Sequence, residues 1–176
     1  MTDRFQAKDG REIVIREACP GDVPGIAELW KQLMDWLRQY DSRYGRTPDG
    51  HKIFAAIIAD CIEKENSAVF VAETDERIVG YCICHLGSFP PWTVLAGKKN
   101  GSISDMAVAK DCRQKGIGHN LFRAAKEWFT ARGACRIDVD GISTGNSATA
   151  SFWRKMGLRQ VSEGLAIEVG DLPSEH

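Results

Sequence analysis

The sequence predicts a mixed α/β (α+β) domain: a mostly antiparallel central sheet of about seven strands flanked by about four helices. Three observations predict it. Hydrophobic residues repeat every second position over 12–17 and in later short runs, as in half-buried strands. They repeat with helical spacing over 20–40, 51–65 and 117–132. A strand also runs through a glycine-containing turn into a helix at 103–132.

Each element has a local cause. EIVIRE (12–17) alternates and reads as a strand. Pro20-Gly21-Asp22 breaks it and starts a helix that continues to about Tyr40, with Ile26, Trp30, Leu33 and Leu37 along one face. DSRYGRTPDG (41–50) is a loop by composition. A second helix over 51–65 carries Ile53, Ile57, Ile58 and Ile62. Residues 68–74 and 77–87 form paired strands around a tight turn at Asp75-Glu76. After an irregular stretch over 88–100 come a strand over 103–109, the glycine turn, and a helix with Ile117, Leu121, Ala125 and Trp128 on one stripe. A strand over 134–139 follows. A helix over 146–156 ends at Gly157, a left-handed cap, and a hairpin of strands 159–162 and 165–169 closes the chain. There are no repeats and no linker, so residues 1–176 are expected to form a single domain.

Composition narrows the function. Of 176 residues 43% are apolar and 27% charged, as in a globular protein. A net charge of −1, with basic residues gathered only around Arg113 and Lys115 and at Lys98-Lys99, argues against nucleic acid as a partner. The polar N-terminus lacks the apolar core of a signal peptide. No apolar run approaches the ~20 residues that span a bilayer, so no membrane partner is expected. The six cysteines form no CxxC pair and no metal-ligand spacing with the four histidines, so no metal is expected. Reduced thiols fit a cytoplasmic location. Cys82 and Cys84 share a strand face as core residues, whereas Cys112 is expected to be exposed in the glycine turn, with a redox role open to it.

The chemistry concentrates in SDMAVAKDCRQKGIG (104–118). Strand, turn and helix here aim unpaired backbone N–H groups at one point, where the helix dipole adds partial positive charge. Gly116 and Gly118 let a ligand approach the backbone closely. Arg113 and Lys115 bring positive charge to the same mouth. The expected ligand is a phosphate or pyrophosphate. GIGHNL is neither a dinucleotide fingerprint nor a P-loop.

Arg113, Gly116 and Gly118 satisfy Q/R-x-x-G-x-G/A, and this segment resembles the acetyl-CoA pyrophosphate loop of the GNAT superfamily of N-acetyltransferases. A second segment, NSATASFWRKMGL (146–158), resembles that superfamily's N-x-x-A-x-x-F-Y-x-K-x-G-F motif through Asn146, Phe152, Lys155 and Gly157. The likeness runs over roughly residues 69–169, and the order of elements is also the GNAT order. It implies a GNAT-like fold and an enzyme that moves an acetyl group from acetyl-CoA, as co-substrate, to a primary amine of a small molecule. It also implies that the pantetheine arm lies along Met106, Ala107 and Val108, with a backbone N–H near Val108 as oxyanion donor. The pyrophosphate would be held by Arg113, Gln114, Lys115, Gly116, Ile117 and Gly118. Asn146 would bond the pantetheine, act as a helix N-cap, or do both.

A carboxylate would take the proton from the amine, which titrates near ~10.4 when free. Asp105 is the first candidate. Strand alternation is expected to put it on one face with Ile103 and Ala107, and an unpaired Asp is costly to bury there. A structural Asp bonded to a turn is the alternative. Asp138 and Asp140, then Glu17 and Glu73, rank lower. Trp153 stands where the family often has a tyrosine thought to protonate the leaving thiolate. An indole N–H cannot act as that acid, but Trp153 can pack on the acetyl group or the pantetheine.

The acceptor would be chosen by Tyr40, Asp41, Tyr44 and His51 after the first helix, and by Phe89, Pro90, Pro91 and Trp92. The Phe-Pro-Pro-Trp run is expected to pack on the core or on a second subunit, which leaves a homodimer open. Two alternatives stand beside a small-molecule transferase: a weakly catalytic acyl-CoA-binding sensor, and an enzyme acting on protein amines.

Overall fold

A computed structural model describes residues 2–41, 44–75, 77–139 and 147–161. The elements are β1 (Thr2–Gln6), β2 (Glu12–Glu17), α1 (Val23–Leu37), α2 (Gly50–Glu63), β3 (Ser67–Thr74), β4 (Arg77–Ser88), β5 (Lys99–Val108), α3 (Ile117–Ala131), β6 (Ala134–Val139) and α4 (Ser147–Lys155). The strands form one sheet in the order β1-β2-β3-β4-β5-β6. Every neighbouring pair is antiparallel except β5 and β6, which run parallel because α3 carries the chain across between them.

The described sheet has six strands rather than about seven. Strand β1 has little apolar signal, since Phe5 is its one large apolar residue. It forms because a turn closed by Ala7 N–H to Arg11 O (2.8 Å), with Gly10 at φ 85°, folds it back on β2. The hairpin expected at the C-terminus lies outside the described residues from 162 onward, and 159–161 are not in a strand.

Helices cover both faces of the sheet. On one face α3 lies so close that a Cβ on Gly80 of β4 would meet Leu121 at 3.0 Å. A Cβ on Gly101 of β5 would meet the Phe129 ring at 2.4 Å. The other face carries α1 and α2: Gly25 sits against Ile78, and the Phe54 ring lies 6.2 Å from Tyr81. The core fills both interfaces, with Phe70, Val71, Val79, Tyr81, Leu121 and Phe129 almost wholly buried. A buried ion cluster pins the start of α1 to the sheet. Arg16 on β2 holds Asp22 through two hydrogen bonds (2.7 and 2.8 Å) and Glu73 on β3 through a third (2.9 Å), and Asp22 also accepts the Cys19 N–H (2.8 Å). Among the described residues no helix is long and apolar enough to cross a membrane.

Gly101 has no Cβ because α3 has no room for one. Gly101→Ala is expected to destabilise the protein by about 1–3 kcal/mol through overpacking against Phe129. Urea unfolding measures this, and an unchanged midpoint would contradict so close an approach of α3.

Candidate active site

The site begins with a break in the alternation of β5. Ile83 faces Asp105 across the β4–β5 ladder, but the next residue, Cys84, faces Ile103, so Ser104 is an extra residue. Directly opposed residues lie on the same face of a sheet. Asp105 and Ala107 therefore share the α1/α2 face with Ile83 and Tyr81, whereas Ile103 turns with Gly101 towards α3. This corrects the expectation that Ile103, Asp105 and Ala107 share one face.

Next to the bulge, among the described residues, one edge of β5 is open. β6 pairs with β5 as far as Ile103 opposite Val139. Beyond it, among the described residues, no strand lies on that edge of 104–108. The Ala109 N–H donates to Val79 O (2.8 Å), and bonds in an antiparallel pair alternate. Met106 and Val108 therefore direct their own N–H and C=O groups away from β4, into the opening.

This edge leads into a cluster of free amides. After a 3-10 turn at Lys110–Cys112, Gln114 (φ 62°) and Gly116 (φ 94°) take left-handed conformations, and α3 begins at Ile117. The first bond that closes the helix runs from Asn120 N–H to Gly116 O (3.1 Å). The amides of 117–119 thus lack an intrahelical acceptor. Those of Gln114, Lys115 and Gly116 have no backbone acceptor among the described residues. No acidic residue stands in the first turn of α3. Curled amides at a positive helix end form a concave anion site.

The two basic side chains do not converge there. The Lys115 ammonium donates to Asp111 O (2.6 Å) and pairs with Asp9 in the β1–β2 turn (2.7 Å). Lys115 and then Arg11 hold the Asp9 carboxyl well below the usual carboxylate range. Arg113 turns back along β5, where its Nε donates to Val108 O (3.0 Å) and its guanidinium lies 4.7 Å from the centre of the Trp36 ring. The positive character of the amide site therefore comes from the backbone.

Asp105 is the titratable group at the opening. Part of the residue reaches solvent, but its carboxyl lies deep in the fold, and that burial pushes its pKa up to about 7. The Tyr81 hydroxyl and the Met106 N–H pull weakly the other way. The Tyr81 hydroxyl is itself buried and completes no well-aligned hydrogen bond among the described residues, so Asp105 is in its range without fully satisfying it. The lower-ranked carboxylates have other duties. Glu73 is held by Arg16, Asp138 by Arg136 (2.6 Å), and Glu17 is exposed at the end of β2. Asp140 lies outside the described residues, as does Asn146. At the bulge, Ser104 Oγ lies 2.9 Å from His85 Nε2, and burial lowers the His85 pKa.

Trp153 is turned into the core. It is 6% exposed and packs edge-on against Phe122 and Phe152. Its neighbour Phe152 is the α4 residue at the site: its ring stands 3.2 Å from where a Gly118 Cβ would lie, on the side of Met106. Cys112 is fully buried, contrary to expectation, and none of the six cysteines is in a disulfide. Trp92 is 84% exposed, so the Phe-Pro-Pro-Trp run does not put it on the core. Tyr40 is exposed and packs edge-on against Trp36 at 5.2 Å, whereas Trp30 stacks on Phe54 at 4.7 Å. Trp36 and Tyr81 stand at the site with no motif in the sequence to mark them, whereas Phe152 is marked by the second motif.

Comparison with known proteins follows this geometry. Residues 28–158 match the Acetyltransferase (GNAT) family. An uncharacterized N-acetyltransferase of Methanocaldococcus jannaschii is 34% identical over 90 residues, and the matched part spans 51% of each chain. A tetramutant of the Bacillus halodurans protein BH1408 superposes with a TM-score of 0.78 at 24% identity, covering 88% of this chain and 99% of that one. The aminoglycoside N-acetyltransferase AAC(6')-Iy in complex with CoA superposes at 0.71 with 18% identity, covering 90% and 95%. At these identities the solved structures speak to the fold.

The raised pKa of Asp105 links stability to pH. Between the unfolded value of 3.8 and the folded value of about 7, the native carboxyl keeps a proton that the unfolded chain has lost, so stability falls as pH rises through this window. Asp105→Asn is expected to be more stable than wild type at pH 8, by up to about 4 kcal/mol. The difference should vanish towards pH 4. Urea midpoints across this range measure it, and a pH-independent difference would contradict the burial.

Proposed function

The chain belongs to the acetyltransferase (GNAT) family, an enzyme family of N-acetyltransferases, and on that premise we propose that it transfers an acetyl group from acetyl-CoA to a primary amine of a small molecule. One observation carries this reading: among the described residues, a strand edge at Met106 and Val108 that no other strand covers starts beside the proton-holding Asp105 and ends at the amides of 114–119, which have no backbone acceptor. The edge suits an extended chain rich in amide groups, the amides suit a pyrophosphate, and the carboxyl suits an amine.

Each residue then has a task. Met106, Ala107 and Val108 accept the pantetheine arm as an added strand, while Gln114, Lys115, Gly116, Ile117 and Gly118 offer backbone N–H groups to the pyrophosphate. Asn146 is assigned to the pantetheine as well. Acetyl-CoA supplies an activated acyl carbon and a thiolate leaving group. The amine nitrogen forms the new C–N bond, and Asp105 takes its proton directly or through water. A backbone N–H at Val108 stabilises the oxyanion, worth about 3 kcal/mol in such sites. The C–S bond breaks and the thiolate takes a proton from water. Thiols titrate near ~8.5, so no acidic side chain is required, in keeping with Trp153 being buried.

The acceptor is proposed to be a small molecule because AAC(6')-Iy is named for aminoglycosides. The protein is proposed to act as one domain in the cytoplasm, without a metal. Two variants test the reading. Gly118→Trp should abolish acetyl-CoA binding by calorimetry, since Phe152 already crowds that position, and unchanged affinity would displace the anion site from this turn. Asp105→Asn should slow thiol release by about 100-fold while sparing acetyl-CoA affinity. Wild-type kcat/KM should rise with pH through about 7 as Asp105 ionises, and the variant should lack that limb. Tight binding of acetyl-CoA without thiol release across a panel of amines would turn the reading to a sensor or to a protein acceptor.

A further inference from the structure

Arg113 is a half-buried cation. Its Nε donates to Val108 O, and its guanidinium lies 4.7 Å from the centre of the Trp36 ring. Among the described residues no carboxylate pairs with it. Burial works against its charge, and the Tyr40 hydroxyl is the group that offsets this. Several other arginines hold a carboxylate. Arg16 binds Asp22 and Glu73, Arg77 binds Asp111, Arg46 binds Asp35 and Arg136 binds Asp138. A guanidinium stays charged in a protein, and its terminal N–H groups form a fork that fits a carboxylate or phosphate. Half-buried, with those donors unused among the described residues, it is suited to an anion from outside the chain.

We propose that Arg113, seated on Trp36 beside Tyr40, binds a carboxylate carried by the acceptor, so that the preferred substrate is an amine bearing an acid group a short chain away. The inference rests on the transferase reading and names its substrate class. A phosphate of acetyl-CoA shares the chemistry, but the placement favours the acceptor. The guanidinium is drawn back to Val108, five residues before its own position, and onto α1. The free amides belong to residues after it. Trp36 and Tyr40 stand at the end of α1, where the connection to α2 begins. Asp105 turns to the same α1/α2 face. Asp105 and Val108 are three residues apart, roughly 10 Å along a strand, which leaves roughly 4–8 Å between amine and acid once hydrogen-bond lengths are subtracted. An ω-amino acid or a dipeptide spans this better than an α-amino acid.

The test compares β-alanine, 4-aminobutyrate and glycylglycine, each with its carboxamide, for thiol release from acetyl-CoA. Wild type should prefer the carboxylate of at least one pair by roughly 10- to 100-fold in kcat/KM, the range of a charge-assisted hydrogen bond. In Arg113→Gln the ratio should fall to near one, and acetyl-CoA affinity by calorimetry is read on the same sample. Arg113→Lys, which keeps the charge but not the fork, should retain part of the preference and stands in if the glutamine variant does not fold. A ratio unchanged by both variants overturns the proposal. So does a loss of acetyl-CoA affinity with preference intact, which assigns the guanidinium to a cofactor phosphate. Binding of the same pairs to wild type and variant, by calorimetry with CoA present, reads the proposal without turnover, and equal binding of acid and amide by wild type also overturns it. Failure of wild type to bind acetyl-CoA would refute the transferase reading instead. Calorimetry of the pairs on the protein alone then decides the fate of Arg113.

Discussion

One extra residue in β5 organises the site. Ser104 shifts the register of the ladder with β4, and among the described residues the ladder with β6 runs as far as Ile103 opposite Val139. Beyond it Met106 and Val108 turn their N–H and C=O groups away from β4, and Arg113 occupies the Val108 carbonyl. The same bulge reverses the side-chain alternation and carries Asp105 to the α1/α2 face beside Tyr81, where burial holds its proton to about pH 7.

The rest of the fold keeps that edge in place and controls charge around it. α3 lies hard against β4 and β5 because Gly80 and Gly101 have no Cβ, and this fixes its N-terminal amides at the end of the open edge. Positive charge at these amides is a property of the backbone and does not depend on a flexible side chain. Lys115 instead joins Asp9, tying the β1–β2 turn to the loop, and Arg123 pairs with Asp3 to fasten β1 over α3. The N-terminal hairpin is therefore a brace for the loop that leads into α3. A groove of about 350 Å³ near Asp22, Glu73 and Arg77 lies away from this edge. Its arginine–carboxylate charges are already satisfied within the protein, which sets it apart from Arg113.

Periodicity and turn chemistry made most of the fold legible, because they are local. The α3 stripe of Ile117, Leu121, Ala125 and Trp128 and the strand pair around Asp75 could be read from neighbours in the chain, and all but the extreme ends of those elements agree. Strand β1 could not, since a polar strand carries no apolar alternation and is held by its ladder with β2 and by the Arg123–Asp3 ion pair to α3, which is distant in sequence. The bulge was equally hidden: a one-residue insertion leaves no mark in a short apolar run, so the faces of Ile103 and Asp105 were read as one.

The sequence by itself determined the strand–turn–helix that frees the amides of 114–119, since left-handed positions and a helix start are set by adjacent residues. It also determined the family, through Arg113, Gly116, Gly118 and the second motif. Tertiary structure alone decided where charges and aromatic rings ended up. Lys115 met Asp9, Arg113 met Trp36, Cys112 was buried, and Trp153 turned inward while Phe152 reached Gly118. The reason is physical. Backbone geometry follows local sterics, whereas the pairing of a long side chain and the pKa of a carboxyl depend on whatever the fold packs around them.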